Sequence, residues 1–251
     1  MKSSGKKIVR RGMMFIAGGF LVIFIAAGIL VLRTRGRTLI QIDIHQNKKI
    51  IHLSNFAEPP QFAIWLENPA TGELKTIFVT HRVAKSDWEG KASVPVALPL
   101  WFKLFREKKS DQDIPGASKK SDMAITGATP KGDYFSIRAE VEPGSEWICW
   151  IEMNLAGDFN DAYPEVDLKT LREDEFSNGQ PALIYKARVK AIQDMKFTTE
   201  LVSQSTWTKG DVKVEPVGDG IASAKSVFDD IRISVIRPKP KLIDKTRIKD
   251  N

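Results

Sequence analysis

Cysteine is nearly absent: Cys149 stands alone in 251 residues. No intrachain disulfide can form, and no thiolate cluster, C-x-x-C-H haem site or lipobox-like cysteine exists. Histidine is almost as scarce. His45, His52 and His81 are the whole supply, so a three-histidine zinc centre would consume all of them. All three fall in strand-like segments, and scattered surface or packed histidines are the plainer reading. There is no G-x-S-x-G elbow, no P-loop and no dinucleotide fingerprint. Nothing in the chain calls for a cofactor.

Acidic residues are missing from residues 1–37, which hold eight basic ones. Residues 237–251 hold six basic and two acidic residues, so the stretch between, 38–236, carries a net charge of −5. The pI near 9.4 therefore belongs to the two ends. A nucleic-acid domain needs a basic face that displaces counterions, and the charge distribution argues against one.

Charge of either sign is absent from "GMMFIAGGFLVIFIAAGILVL", residues 12–32. As a helix rising 1.5 Å per residue this run spans about 30 Å, the thickness of a bilayer core. A cleaved signal peptide has a shorter apolar region and a small-residue cleavage site, whereas this run ends in Val31-Leu32-Arg33. The reading is a retained single-pass transmembrane helix. Five basic residues precede it and three follow, which favours a cytoplasmic N-terminus and an exported C-terminal domain. The chain divides into a basic tail 1–11, the span 12–32, a basic juxtamembrane segment 33–37, an extracytoplasmic domain 38–236 and a basic tail 237–251. Gly18 and Gly19 offer a surface where a second helix could approach closely, or are simply small residues of the kind common in membrane helices.

Beyond Thr38 the hydrophobic pattern has mostly period two. Ile40, Ile42 and Ile44 share one face; "KIIHLS" reads as a second strand; "QFAIWLEN" and "LKTIFVTHRVA" read as a hairpin joined by "NPATGE". "LPLWFKLF" breaks the alternation and reads as a short amphipathic helix after Pro99. Its aromatic stripe is first of all core packing; the alternative makes Trp101 and Phe105 contacts to the membrane or a partner. Residues 107–122 read as a polar loop. "DYFSIRAEV", "EWICWIEMNL", "PALIYKARVKAI" and "DDIRISVIRP" are further strands, "MKFTTELVSQST" and "GDVKVEPV" weaker ones, and "GIASAKSVF" one helical turn or two. The fold class expected is all-β, a sandwich of immunoglobulin-like or Greek-key type. Cys149 falls on the more continuously apolar face of its strand and is expected to be a buried small hydrophobe.

"QFAIWLENPATGELKTIFVT", "LPLWF", "ITGATPKGDYFSIRAEV", "WIEMNLAGDFNDAYPE" and "NGQPALIYKA" together resemble an uncharacterised family of predicted bacterial periplasmic proteins. That family's pattern is similar to the immunoglobulin-like domain of flagellar hook-cap proteins. The resemblance covers about residues 60–190. It implies a periplasmic β-sandwich with no agreed activity, in the neighbourhood of membrane-bound redox systems, and it supplies no catalytic residues. The basic residues and the loop 107–122 depart from a compact hook-cap domain.

The acid-rich stretch "WIEMNLAGDFNDAYPE" offers the chemistry to weigh. Asp158, Asn160, Asp161, Glu165 and Asp167 could supply oxygens to calcium. The D-x-[DN]-x-[DN]-G register fails, however, because Asp161 directly follows Asn160 and Ala162 comes next. The preferred reading is an Asx-type turn in which Asp158 or Asn160 caps backbone amides and Tyr163 covers the sandwich edge. Glycoside hydrolysis needs two carboxylates across a cleft; Glu140 and Glu152, on neighbouring strands and expected to face solvent, are such a pair, but any antiparallel sheet yields one. The function expected is non-catalytic protein–protein contact, as an accessory subunit of an envelope membrane complex, with membrane and envelope proteins as partners and no nucleic acid. The alternative is a small-ligand or carbohydrate enzyme or binder using the loop 158–167.

Overall fold

The computed structural model describes residues 20, 23–29, 37–85, 96–105, 125–127, 129–174, 176–208 and 210–238. Most of the apolar run 12–32, with Gly18 and Gly19, lies outside them, as do the loop 107–122 and most of the C-terminal tail. The described part of the run, 20 and 23–29, is helical and exposed. Among the described residues no helix is long and apolar enough to cross a membrane.

Period-two alternation becomes strand wherever it is sustained. In β1 (Thr38–Gln46) burial alternates along the strand, and Ile40, Ile42 and Ile44 are fully inaccessible. β1 is flanked by β5 (Tyr134–Val141) and β13 (Phe228–Ile236), and β10 (Lys196–Thr198) adds the edge in the order β10-β13-β1-β5. A second sheet runs β12-β11-β9-β6-β2-β3-β4. Its members are β2 (Gln61–Glu67), β3 (Leu74–Thr80), β4 (Ile125–Gly127), β6 (Glu146–Asn154), β9 (Ala182–Lys190), β11 (Glu200–Thr208) and β12 (Asp211–Glu215). All pairings are antiparallel except β3 with β4. A two-stranded hairpin, β7 (Val166–Asp167) and β8 (Arg172–Glu173), stands apart.

The two sheets share one core, which makes the fold β-rich and sandwich-like. The first sheet contributes Ile40, Ile42, Ile44, Ile137, Ala139, Ile231, Ile233 and Val235. The second contributes Phe62, Ile64, Leu66, Cys149, Ile151, Met153, Leu183 and Val189. Each fully buried aliphatic or aromatic side chain contributes about 1.5–3 kcal/mol. Phe62 sits at the centre of the aromatic part, with Phe78, Phe135 and Phe228 at 5.0–5.3 Å between centroids.

The outer face of the second sheet is also covered, by α3 (Pro99–Phe105). Ala63, Trp65, Val79, Val83, Leu98 and Trp101 form a separate apolar cluster there. Trp101 is buried and donates its indole N–H to Thr76 Oγ1 at 3.2 Å, and Phe105 is half-buried against it. The aromatic stripe of this helix is thus core.

Three expectations are corrected. "KIIHLS" is helix, not strand: α1 (Lys48–Leu53) is started by Asn47, whose side chain accepts from the Ile50 amide, and is ended by Ser54 bonded to Ile51 O. The segment after Thr80 is also helical, α2 (His81–Lys85), so of the three histidines only His45 lies in a strand. Finally, Glu140 and Glu152 do not face each other. They belong to different sheets, and Glu152 is fully buried under α3 rather than solvent-facing.

Cys149 is fully buried on the inner face of β6, where burial pushes its thiol up to about 12. A thiol reagent should leave the native protein unmodified and react after denaturation. Cys149→Ser should cost about 1–3 kcal/mol in urea melts, through a hydroxyl buried without a good partner. Rapid labelling of the native protein would show this face to be open.

Candidate functional site

Among the described residues, strand β6 carries the one buried carboxyl beside the apolar cluster under α3, Glu152. Its neighbours in register are Ala63 on β2 and Ile184 on β9, so Glu152 projects from the middle of the sheet onto the outer face. There the first turn of α3 meets it. Leu100 N donates to Oε1 at 2.9 Å, Trp101 N to Oε2 at 2.7 Å, and Ser205 Oγ of β11 to Oε1 at 2.5 Å. The residue at the helix start is Pro99, which has no N–H to satisfy. Glu152 is therefore a cap supplied across the sheet: it accepts from amides that the helix itself cannot pair.

Burial pushes this carboxyl from its usual 4.5 up to about 7, while the bonds from Ser205, Trp101 and Leu100 pull the other way. Such a value suits a general acid or base at neutral pH. Geometry assigns it another role. Both oxygens are engaged by the protein's own donors, and no part of the residue is open to solvent. A substrate would reach it only with α3 lifted away.

Aromatic and polar groups complete the surroundings. Trp150 stacks on Trp65 at 6.2 Å, donates to Glu67 Oε2 at 2.7 Å and carries Lys186 Nζ 4.6 Å from its ring centroid. Directly opposite one another at the end of the same face lie Gln61 and Asn154. Both are buried, and each leaves its carbonyl oxygen without a donor among the described residues.

The acid-rich loop after Leu155 is a separate locus. Asp158 points inward: Gln180 Nε2 donates to Oδ2 at 2.6 Å and Ser223 Oγ to Oδ1 at 2.6 Å. Burial holds its carboxyl above the usual range, against the Ser223 bond. Gln180 Oε1 accepts from the Ala222 amide at 2.6 Å, which ties the loop to the turn before β13. Asn160 Oδ1 accepts from the amides of Ala162 and Tyr163, both at 2.9 Å, and its Nδ2 donates to Gly220 O. Asp161 is exposed, and Glu165 lies 3.5 Å from Asn55 Nδ2. Asp167 caps the β7–β8 turn, where the Thr170 hydroxyl and the Lys169 amide lower its carboxyl.

The calcium candidates therefore diverge: Asp158 faces Gln180 and Ser223, Asn160 its own turn, Asp161 solvent and Glu165 the α1–β2 loop. Among the described residues no group of three or more His, Cys, Asp or Glu is arranged to hold a metal. Two glycines make the loop possible. Gly157 has φ +72° and a Cβ there would lie 2.6 Å from the Phe56 ring; Gly179 has φ +70° and a Cβ there would meet the Asp158 backbone at 2.7 Å. Tyr163 packs half-buried on the sandwich core.

Glu152 escaped sequence reasoning because alternation alone assigns it to solvent. A signal was present. Ile148 and Trp150 share its face, so β6 is apolar on both parities, as strands buried on both sides are.

Two outcomes follow. Because the native carboxyl of Glu152 titrates above its unfolded value, protonation favours the fold. Its contribution is complete below pH 4.5, declines as pH rises and is gone above about 7, a loss on the order of 3 kcal/mol. Urea melts across that window should show the slope, and Glu152→Gln should flatten it; an unchanged slope in the variant would refute the assignment. In the loop, Asp161→Asn with Glu165→Gln should leave the melting temperature nearly unmoved and insensitive to calcium. A saturable calcium stabilisation of the wild type, lost in this double variant, would make the loop a metal site.

Compared with known proteins, the chain matches no family model, no curated protein and no solved structure.

Proposed function

We propose that this chain is a non-catalytic, membrane-anchored protein of the bacterial envelope. In this reading residues 12–32 hold it in the inner membrane with the N-terminus in the cytoplasm. An immunoglobulin-like sandwich on the periplasmic side then works by protein–protein contact, as an accessory subunit of an envelope complex. The resemblance to periplasmic proteins points to a membrane redox complex as its setting.

What supports contact rather than catalysis is one end of the sandwich. The β7–β8 hairpin projects there with Leu168 84% and Leu171 78% exposed. Across from its base, Leu53 is 77% exposed, and Phe56 is exposed beside it. Asn55, between these two, donates to Gly157 O at 3.0 Å and reaches Glu165 at the foot of the hairpin. Large apolar groups exposed on hydrogen-bonded turns at one end of the fold support a protein contact surface there. The rival reading, a ligand or carbohydrate site in the loop 158–167, is less well supported, because Asp158 and Asn160 spend their oxygens on internal bonds.

The full chain extracted in mild detergent should bring other membrane proteins with it. Leu168→Asp with Leu171→Asp should reduce that recovery about tenfold or more, equivalent to about 1.4 kcal/mol, with an unchanged melting temperature. Undiminished recovery in the variant would remove this surface from the proposal; a wild-type chain that purifies alone would sink the subunit reading.

A further inference from the structure

The opposite end of the sandwich collects a different set of residues. The register of β1 with β13 places Leu39 opposite Ile236, so Arg37 and Arg237 enter and leave the fold side by side. The segments they belong to, 33–37 and 237–251, hold nine basic and two acidic residues. The turn after β9 lies at the same end, fastened on both sides. Gly144 N donates to Ala191 O at 2.8 Å, Asp194 N to Val235 O at 2.9 Å and Val235 N to Met195 O at 2.9 Å. On this turn Ile192 is 45% exposed, Met195 is 38% exposed, and Lys196 stands next to them in the open.

We propose that this end is a membrane-facing surface that rests on a bilayer containing anionic lipid. Ile192 and Met195 enter the interface, and Arg37, Lys196 and Arg237 lie over the headgroups. The proposal rests on the reading of 12–32 as a membrane span. Five residues separate that span from β1, and a fully extended chain of five residues reaches about 18 Å at most. The end bearing Thr38 is thus held close to the surface whatever path the linker takes.

Charge then selects the orientation. Residues 38–236 carry a net −5, so an anionic surface repels the body of the domain and attracts the end to which the basic segments are joined. The acids at this end are partly engaged: Glu140 is paired with Arg37 at 3.3 Å, and Glu146 lies 3.8 Å from Lys190. Glu142, Asp194 and, on the turn between β2 and β3, Glu73 remain exposed, so the attraction comes from the basic segments joined at Arg37 and Arg237. Basic groups beside exposed aliphatics form the combination that interfacial proteins present to lipid. The contact end with Leu168 and Leu171 is thereby turned away from the bilayer.

The test uses the full chain with Ile192→Cys, or Met195→Cys as a second position, carrying an environment-sensitive fluorophore; the buried Cys149 stays unlabelled. The chain is reconstituted into vesicles of phosphatidylcholine alone or with about 30% phosphatidylglycerol, and quenching by headgroup-nitroxide lipid is measured. Quenching should be severalfold stronger with phosphatidylglycerol. It should fall as salt rises from about 0.15 to 1 M, where the screening length drops from about 8 to 3 Å. Lys196→Glu with Arg237→Glu should abolish the lipid dependence, and a label at Leu168→Cys should stay unquenched throughout. No quenching at 192, equal quenching in both lipids, or equal quenching at 192 and 168 would overturn the proposal. Flotation of the vesicles in 1 M salt separates the two failures. A chain that floats with an unquenched 192 label retains its anchor and loses only the docking surface; a chain left behind loses the anchor, and the proposal with it.

Discussion

Strand β6 is the element on which the two cores depend. Its inner face supplies Cys149, Ile151 and Met153 to the sandwich, and its outer face supplies Trp150 and Glu152 to the layer under α3. A carboxyl so placed is costly to bury, because desolvation of a charge exceeds what a single hydrogen bond returns. Three donors converge on it, and two of them are backbone amides that would otherwise be buried without partners. The cost of the acid and the needs of the helix offset each other. Each feature answers the other: α3 is what buries the glutamate and supplies two of its donors, and without Glu152 the helix start is a set of unpaired donors.

What the sequence reveals and what it hides follow from this arrangement. Ile40, Ile42 and Ile44, or Ile231, Ile233 and Val235, are legible because those strands have one wet face, and period two records it directly. The helix Pro99–Phe105 is legible because proline opens it and the alternation breaks. "KIIHLS" is not legible by pattern, because six residues with Ile50 and Ile51 adjacent fit either period. Asn47, a side chain that accepts from Ile50 N, decides for helix. Glu152 is hidden for a different reason. Alternation identifies a face, but only tertiary structure says what covers it.

The loop after Leu155 divides the same way. Its turn chemistry is local and readable, since Asn160 bonds amides two and three residues on. The contacts that anchor it are not local: Asp158 meets Gln180 and Ser223, which lie 22 and 65 residues away. No spacing rule connects those positions, and an acid-rich stretch therefore looks from sequence like a ligand cluster. In the fold each acid has its own direction. The β7–β8 hairpin was equally invisible, because two-residue strands carry no periodicity and its turn depends on Leu171 at φ +53°.

The path of the chain also gives the domain a polarity. Antiparallel pairing of the first strand with the last puts both connections to the rest of the protein at one end. The connections at the other end, α1 with its following loop and the β7–β8 hairpin, carry no chain in or out and are free to present Leu53, Leu168 and Leu171. On the proposed readings of residues 12–32 as an anchor and of the hairpin end as a contact surface, tethering and contact need no compromise, because they occupy opposite ends of the sandwich. The separation is enforced by β1, whose nine residues run the length of the first sheet at about 3.4 Å each, roughly 30 Å in all. A partner that meets the hairpin is thus held about that far from whatever holds Arg37.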